Sequence, residues 1–161
     1  MSSRRKARGA VLRILYLCES RGLTVDEAFG EMAAADEEMR LRAGEPDIAL
    51  LKPFALGLAA ADREYALDLA RRIEKAREEL NGHIRPALKN WDLERVSRID
   101  RIILWIGLAE MLFRFDIPPV VSVNEAIELA RTYSSAKSPK FINGVLDTVA
   151  RNMGAFDREK G

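Results

Sequence analysis

The sequence predicts an all-α fold, a compact bundle of about six to eight helices. Apolar residues recur at the three- and four-residue spacing of an amphipathic helix along most of the 161 residues. No segment shows the regular apolar–polar alternation of a strand, and the chain contains no internal repeat. With 48% hydrophobic and 32% charged residues, the chain has enough apolar side chains for a buried core beneath a well-solvated surface.

The segment that opens the chain, SSRRKARGAVLRILYLCE, is predicted to form a helix that Gly22 ends. On a helical wheel its apolar residues, from Ala7 to Cys18, share one side. The opposite side is basic, so we expect the helix to bury one face and to expose the other. The residues expected to face outward are Arg5, Lys6, Gly9, Arg13 and Tyr16, with Arg4 and Arg8 at the border.

This basic face lacks balancing acids. Residues 1–13 carry a formal charge of +5, the remaining residues carry −4, and Glu19 is the first acid. Cations at a helix N-terminus oppose the helix dipole, whereas arginine is well suited to phosphate groups. We therefore expect the face to bind nucleic acid, with Tyr16 as a stacking surface. A merely solvated face is the alternative; a membrane-bound helix is disfavoured because the apolar side is small and needed for the fold.

Further helices are predicted before residue 90. The segment TVDEAFGEMAAA is expected to form a short second helix, capped by Thr24 or Asp26. Residues 36–47 are charged and contain a glycine and a proline, which favours a loop or a frayed helix end. Residues 48–81 keep the helical period and are predicted to form one long helix or two in sequence.

The second half contains the most apolar segment. Residues 95–115 are predicted to form a central helix that packs on more than one side. Ser122 and Glu125 have the spacing of a capping box, which predicts a helix start at that point. The last helix is predicted to begin with Ser138 as its cap and Pro139 at its first position.

Composition argues against several kinds of site. The single cysteine, Cys18, cannot form an internal disulfide and is expected in the core. The single histidine, His83, makes a metal centre or a Ser-His-Asp mechanism improbable, and we expect no cofactor. No segment has the roughly 18–20 uninterrupted apolar residues of a membrane span. The basic start does not lead into a signal-peptide pattern, so a cytoplasmic protein is expected.

Two later segments, NWDLERVSRIDRIIL and IPPVVSVNEAIELARTYSSAKSPKFINGVLD, contain specific motifs. They combine a Trp-x-x-x-Arg run leading into Asp-Arg, an Asn-Glu-Ala helix after a proline, and Lys-Phe-x-Asn-Gly-x-Leu. Together with the Arg-rich start that ends in Leu-Tyr, they resemble, in order, the NusB family of transcription antitermination factors. The matching residues are Leu15, Tyr16, Trp91, Arg95, Asp100, Arg101, Pro118, Asn124, Glu125, Ala126, Lys140, Phe141, Asn143, Gly144 and Leu146.

The resemblance implies one NusB-like domain of two small helical subdomains, residues 1–82 and 83–153, followed by a loose tail at 154–161. It also implies a non-enzymatic role. NusB proteins bind the boxA element of nascent ribosomal RNA transcripts, together with NusE, a ribosomal protein of the small subunit. The two then join an antitermination complex on RNA polymerase. Whether the free protein is a monomer or a homodimer stays open.

The resemblance and the charge pattern together predict two sets of site residues. The family motifs imply RNA contacts at the basic start and in the last helix, and we add three cations and one tyrosine from charge and position. The residues expected to contact RNA are Arg4, Arg5, Lys6, Arg8, Arg13, Tyr16, Lys137, Lys140 and Phe141. The residues expected to contact NusE are Glu94, Asp100 and Arg101.

Two other functions compete with this expectation. One is an all-α protein-interaction module without an RNA role. The other is an RNA-binding accessory domain, since NusB-like domains also occur at the front of RNA cytosine methyltransferases. An enzyme is disfavoured, because the chain contains no glycine-rich cofactor loop and no candidate catalytic cysteine on a loop.

Overall fold

The computed structural model describes residues 3–89 and 92–160, with side chains of the last helix described as far as Asp157. Within these ranges every regular element is helical and none is a strand, which confirms the predicted all-α fold. Trp91, one of the residues that match the family motifs, lies outside the described residues. The α-helices are α1 (Ser3–Arg21), α2 (Val25–Leu41), α3 (Ala60–Ile84), α4 (Arg98–Phe113), α5 (Pro119–Tyr133) and α6 (Ser138–Asn152). Short 3₁₀ helices span Ile48–Phe54, Arg85–Ala87, Leu93–Arg95 and Ala155–Lys160.

The chain divides into two compact units, Met1–Arg71 and Arg72–Gly161. The division lies inside α3, whereas the sequence suggested one near Gly82. The helix continues through that glycine because the preceding residue, Asn81, is anchored in the second unit. The buried Asn81 side chain accepts a hydrogen bond of 2.8 Å from the indole N–H of Trp105.

In the first unit, α2 begins with a complete capping box. The hydroxyl of Thr24 accepts a hydrogen bond of 3.2 Å from the backbone N–H of Glu27. The carboxylate of Glu27 accepts one of 3.1 Å from the backbone N–H of Thr24. The hydrogen bond from the Thr24 backbone lowers the pKa of Glu27, and the hydrogen bond with the Thr24 side chain lowers it further. The structure therefore selects Thr24 from the two predicted caps.

The segment after α2 decides between the predicted alternatives. α2 extends to Leu41, so it reaches into the segment predicted as a loop or a frayed helix end. Residues 48–81, predicted as one long helix or two in sequence, are interrupted, because Pro53 lacks a backbone N–H and Gly57 adopts a positive φ of 67°. Only a 3₁₀ helix forms before these breaks, and the α-helix resumes at Ala60.

In the second unit, α4 is the central helix and packs against both α5 and α6. Every residue from Ile102 to Met111 is buried, as the broad apolar surface in the sequence predicted. Gly107 permits the close approach of α6, since a Cβ atom there would lie 2.8 Å from Cδ1 of Leu146. Shape as well as hydrophobicity therefore fixes this helix pair.

Three predicted details of the second unit are wrong. α5 begins at Pro119, so Ser122 is a buried residue inside the helix and not a cap, and its hydroxyl finds no hydrogen-bond partner among the described residues. α6 has Lys137 in the cap position, because the hydroxyl of Ser138 is directed to Asp100. The expected loose tail contains a 3₁₀ helix that contacts α5 and α6 and buries Ala155.

Candidate nucleic-acid interface

The basic start of α1 holds its first arginine against an aromatic ring. The guanidinium of Arg4 lies 3.8 Å from the ring centroid of Tyr65, within the first unit. Arg4 and Arg5 are half-buried, and Lys6 is exposed. A stacked guanidinium keeps its in-plane N–H donors, so Arg4 is oriented by the stack and can still donate to an anion.

Arg8, expected at the border of the basic face, is buried, and Arg13, expected to face outward, is bound to the backbone. Arg8 is only 4% exposed, and Gly9 beside it is also buried. Arg13 donates from Nη1 to the carbonyl of Ala55 at 2.6 Å and from Nη2 to the carbonyl of Leu56 at 3.2 Å. The helical wheel failed here because α1 is buried on more than one side.

Asp36 also binds the segment that Arg13 contacts. The carboxylate of Asp36 accepts hydrogen bonds from the backbone N–H groups of Leu56 at 3.2 Å and Gly57 at 3.0 Å. It also accepts one of 3.0 Å from Arg63, at the start of α3. Arg13 and Asp36 thus fix the connection between the 3₁₀ helix and α3, a role that the sequence analysis missed.

Tyr16 lies further along α1 and is 40% exposed. Its ring is therefore at the surface of the first unit, as the sequence predicted. An exposed aromatic ring on a helix is compatible with stacking on an unpaired base.

One predicted cation of the second unit, Lys137, lines a cleft of about 280 Å³. Lys137 and Lys140 are exposed, and Phe141 is half-buried. Lys137 and Phe141 line the cleft, whereas Lys140 precedes Phe141 in the first turn of α6. The full set of lining residues is Arg95, Val96, Ser97, Asp100, Ser135, Lys137, Ser138 and Phe141.

Asp100, expected to contact NusE, is buried and is one of the residues that line this cleft. Its carboxylate accepts hydrogen bonds from the hydroxyls of Ser134 at 2.6 Å and Ser138 at 3.0 Å. Its backbone N–H donates to the hydroxyl of Ser97, the cap of α4, at 3.2 Å. Asp100 therefore ties the start of α4 to the connection between α5 and α6.

The other two residues expected to contact NusE lie in different environments. Glu94 is exposed and accepts a hydrogen bond of 3.4 Å from Arg85. Its own backbone N–H and then Arg85 lower the pKa of the Glu94 carboxyl. Arg101 is half-buried, with its guanidinium 5.8 Å from the ring centroid of Trp105.

Two kinds of site are absent from the described residues. No three histidine, cysteine, aspartate or glutamate side chains come together there as ligands for a metal ion. No helix in those ranges has the length and apolar character needed to cross a membrane.

Comparison with known proteins identifies the family. A model of the NusB family matches residues 5–151. Transcription antitermination protein NusB of Geobacter sulfurreducens is 40% identical over 153 residues, which cover 95% of this chain and 97% of that protein. A NusB from strain Loch Maree of Clostridium botulinum is also 40% identical, over 89% of this chain and 96% of its own length.

Solved structures of NusB proteins share the fold of this chain. NusB of T. maritima superposes with a TM-score of 0.67 at 28% identity, covering 97% of this chain and 98% of its own. A chain from a structure of the antitermination factors NusB and NusE in complex with dsRNA gives a TM-score of 0.72 at 24% identity, covering 94% of this chain and 98% of its own; at that identity the likeness concerns the fold. This chain belongs to the NusB family.

Proposed function

We propose that this protein is a transcription antitermination factor that binds boxA-type single-stranded RNA in nascent ribosomal RNA transcripts, together with NusE, and so supports processive transcription. Membership of the NusB family supports the antitermination role. The observation that carries RNA binding is the presence of exposed lysines in both units: Lys6 on α1, and Lys137 and Lys140 around the start of α6. Phe141 lies beside the second group.

The cations bind phosphate groups and release counterions, which gives affinity without reading sequence. In the first unit these cations are Arg4, Arg5 and Lys6. Arg8 and Arg13 support the fold of the unit instead, because Arg8 is buried and Arg13 is bound to backbone carbonyls.

The aromatic residues supply the second kind of contact. Tyr16 in the first unit and Phe141 in the second stack on unpaired bases, and each stacked base adds affinity beyond that of the phosphate contacts. No chemical step is involved: the protein acts as a surface that holds RNA and partner proteins together.

NusE contacts other side chains of the second unit. Glu94 is the favoured contact, because its side chain is exposed and a glutamate carboxyl is ionised at neutral pH. Arg101 is a second candidate. Asp100 is not proposed as a NusE contact, because both oxygens of its carboxylate accept hydrogen bonds within the second unit. The joint surface of the two proteins then joins the complex on RNA polymerase.

Fluorescence anisotropy tests the proposal. The protein is titrated into a labelled boxA RNA and into a scrambled RNA of equal length, with and without NusE, across a salt series. We expect preference for boxA RNA, increased by NusE. Equal, salt-driven binding to both RNAs would reduce the cations to general affinity for polyanions. Absence of RNA binding in every condition would leave a protein-interaction module as the function.

A further inference from the structure

We infer that Tyr65, a buried residue of α3, is a positioning residue for RNA binding, because its ring holds the guanidinium of Arg4 in place for a phosphate group. This inference rests on the proposed RNA-binding function. It adds a residue that lies outside the basic start and outside the family motifs. Tyr65 touches no RNA itself and acts through Arg4.

The contact between Arg4 and Tyr65 is a close stack. The guanidinium carbon of Arg4 lies over the ring, 3.8 Å from its centroid, which is a van der Waals distance. The guanidinium groups of Arg72, Arg77 and Arg101 lie between 5.1 and 5.8 Å from the centroids of the rings that they face. The Arg4 side chain is therefore packed on its ring, whereas the other three are only near theirs.

The stack leaves the hydrogen-bond donors of Arg4 usable. A guanidinium carries its five N–H groups in its own plane, and a ring that lies against the face of that plane does not occupy them. Arg13 differs, because two of its nitrogens donate to the carbonyls of Ala55 and Leu56. Arg4 is only half-buried, so a phosphate group can reach it and accept two parallel hydrogen bonds while the stack persists.

Tyr65 itself is not placed to contact RNA. Only 5% of the residue is exposed, and its neighbours Ala66 and Leu69 on α3 are buried as well. A ring that is covered to this extent has no free face for a base. Its influence on RNA binding must therefore pass through the arginine.

The start of α3, which carries Tyr65, is held in place by hydrogen bonds. Arg63 donates one to the carbonyl of Leu58 at 3.1 Å and one to the carboxylate of Asp36 at 3.0 Å. Because Asp36 belongs to α2, these bonds join α2 to the start of α3. An arginine that is stacked on a fixed ring before RNA arrives loses less conformational entropy on binding than a mobile one.

A double-mutant cycle measures the coupling between the two residues. Binding of a labelled boxA RNA is measured for Arg4→Ala in the wild type and in Tyr65→Leu, where circular dichroism shows each variant to be folded. We expect Arg4→Ala to weaken binding by the wild type about fivefold and to lower the salt slope by about 0.7, the value for one phosphate on a single strand. In the Tyr65→Leu background the same change should cost less than about twofold. Equal costs in both backgrounds would overturn the assignment.

Two further backgrounds separate positioning from a general loss of packing. Tyr65→Phe keeps the ring, so Arg4→Ala should again cost about fivefold. Leu69→Ala removes a buried side chain one turn further along α3 and keeps the ring. It should lower the unfolding temperature, yet Arg4→Ala should still cost about fivefold in it. Loss of the coupling in either background would reduce Tyr65 to a packing residue.

Nuclear magnetic resonance tests the stack in the wild type, without any substitution. Protons above an aromatic ring resonate upfield, so we expect the δ protons of Arg4 to lie upfield of those of the exposed Arg21. They should stay upfield when boxA RNA is bound. A return to the ordinary position on binding would show that Arg4 leaves the ring to reach RNA, and would overturn the inference.

The outcomes separate this inference from the function on which it rests. If the wild type binds boxA RNA and Lys6→Ala weakens the binding, but Arg4→Ala costs the same with and without the ring, then only the role of Tyr65 is wrong. If the wild type binds no RNA in any condition, both proposals fail.

Discussion

The two cation-bearing regions of this protein differ in what surrounds their charges. At the start of α1, arginines follow one another closely in sequence, but Arg8 is buried and Arg13 is bound to the carbonyls of Ala55 and Leu56. Around the cleft of the second unit, cations are sparser in sequence, yet Arg95 and Lys137 are exposed. The density of positive charge along the chain therefore does not indicate which cations can reach a ligand.

Backbone hydrogen bonding explains the difference. The carbonyls of Ala55 and Leu56 lie where the 3₁₀ helix ends, and both residues are buried, so these groups need donors from within the protein. An arginine with five N–H donors satisfies both. In the second unit the hydroxyls of Ser134 and Ser138 bind the buried carboxylate of Asp100, while Arg95 and Lys137 lie at the surface.

The largest expected effect is on the bonds that form the cleft. Asp100→Ala removes the charged acceptor of Ser134 and Ser138, and hydrogen bonds to a charged group contribute about 1.5–3 kcal/mol each. We expect the free energy of unfolding to fall by about 3 kcal/mol in urea titrations. Asp147→Ala, which removes an exposed partner of Arg151, should cost less than about 1 kcal/mol. Unchanged stability with loss of NusE binding would restore Asp100 as a partner contact.

A somewhat smaller effect is expected on the arginine side of the comparison. Arg13→Ala leaves two carbonyls without their donor, so we expect a loss of about 2 kcal/mol in the free energy of unfolding. Arg21→Ala, which breaks an exposed pair with Glu31, is the matched control and should cost under about 1 kcal/mol.

The same variant also sharpens the functional comparison. Because Arg13 is engaged with the backbone, Arg13→Ala should leave the salt slope of RNA binding unchanged when measured under conditions where the variant is fully folded. A slope reduced by about 0.7 would show that Arg13 contacts a phosphate after all.

The smallest effect on stability, with a clear effect on RNA, is expected at the cleft rim. Lys137→Glu reverses a charge at an exposed position and should change the free energy of unfolding by less than about 0.5 kcal/mol. It should weaken binding of boxA RNA about tenfold, measured by anisotropy at about 0.1 M salt, because it places an acid beside the bound phosphates. Lys75→Glu, an exposed lysine of α3, is the control.

Much of the fold followed from the sequence where local signals agreed. The apolar surface over 95–115 predicted α4, and Thr24 followed by Glu27 forms the capping box that starts α2. The helix signal over 48–81 was less informative, because the period continues through Pro53 and Gly57 while the backbone does not. Ser122 shows the same limit. Its spacing to Glu125 is that of a capping box whether the serine starts a helix or, as here, lies inside one.

The candidate site was harder to predict, because its chemistry depends on contacts distant in sequence. Arg13 meets carbonyls more than 40 residues away, and Asp100 meets hydroxyls more than 30 residues away. One local signal was present. Arg8 is flanked in sequence by the small residues Ala7, Gly9 and Ala10, which is typical of a helix that is buried on all sides.

The central claim is that the exposed lysines of both units bind RNA. The most direct test is the salt dependence of boxA RNA binding for the triple variant Lys6→Ala, Lys137→Ala, Lys140→Ala, compared with a control triple variant of other exposed lysines, Lys52→Ala, Lys75→Ala, Lys89→Ala. The account predicts that the first variant loses about 2 from the log–log salt slope, at about 0.7 per phosphate, while the control keeps the wild-type slope. Equal slopes in the wild type and both variants would contradict it.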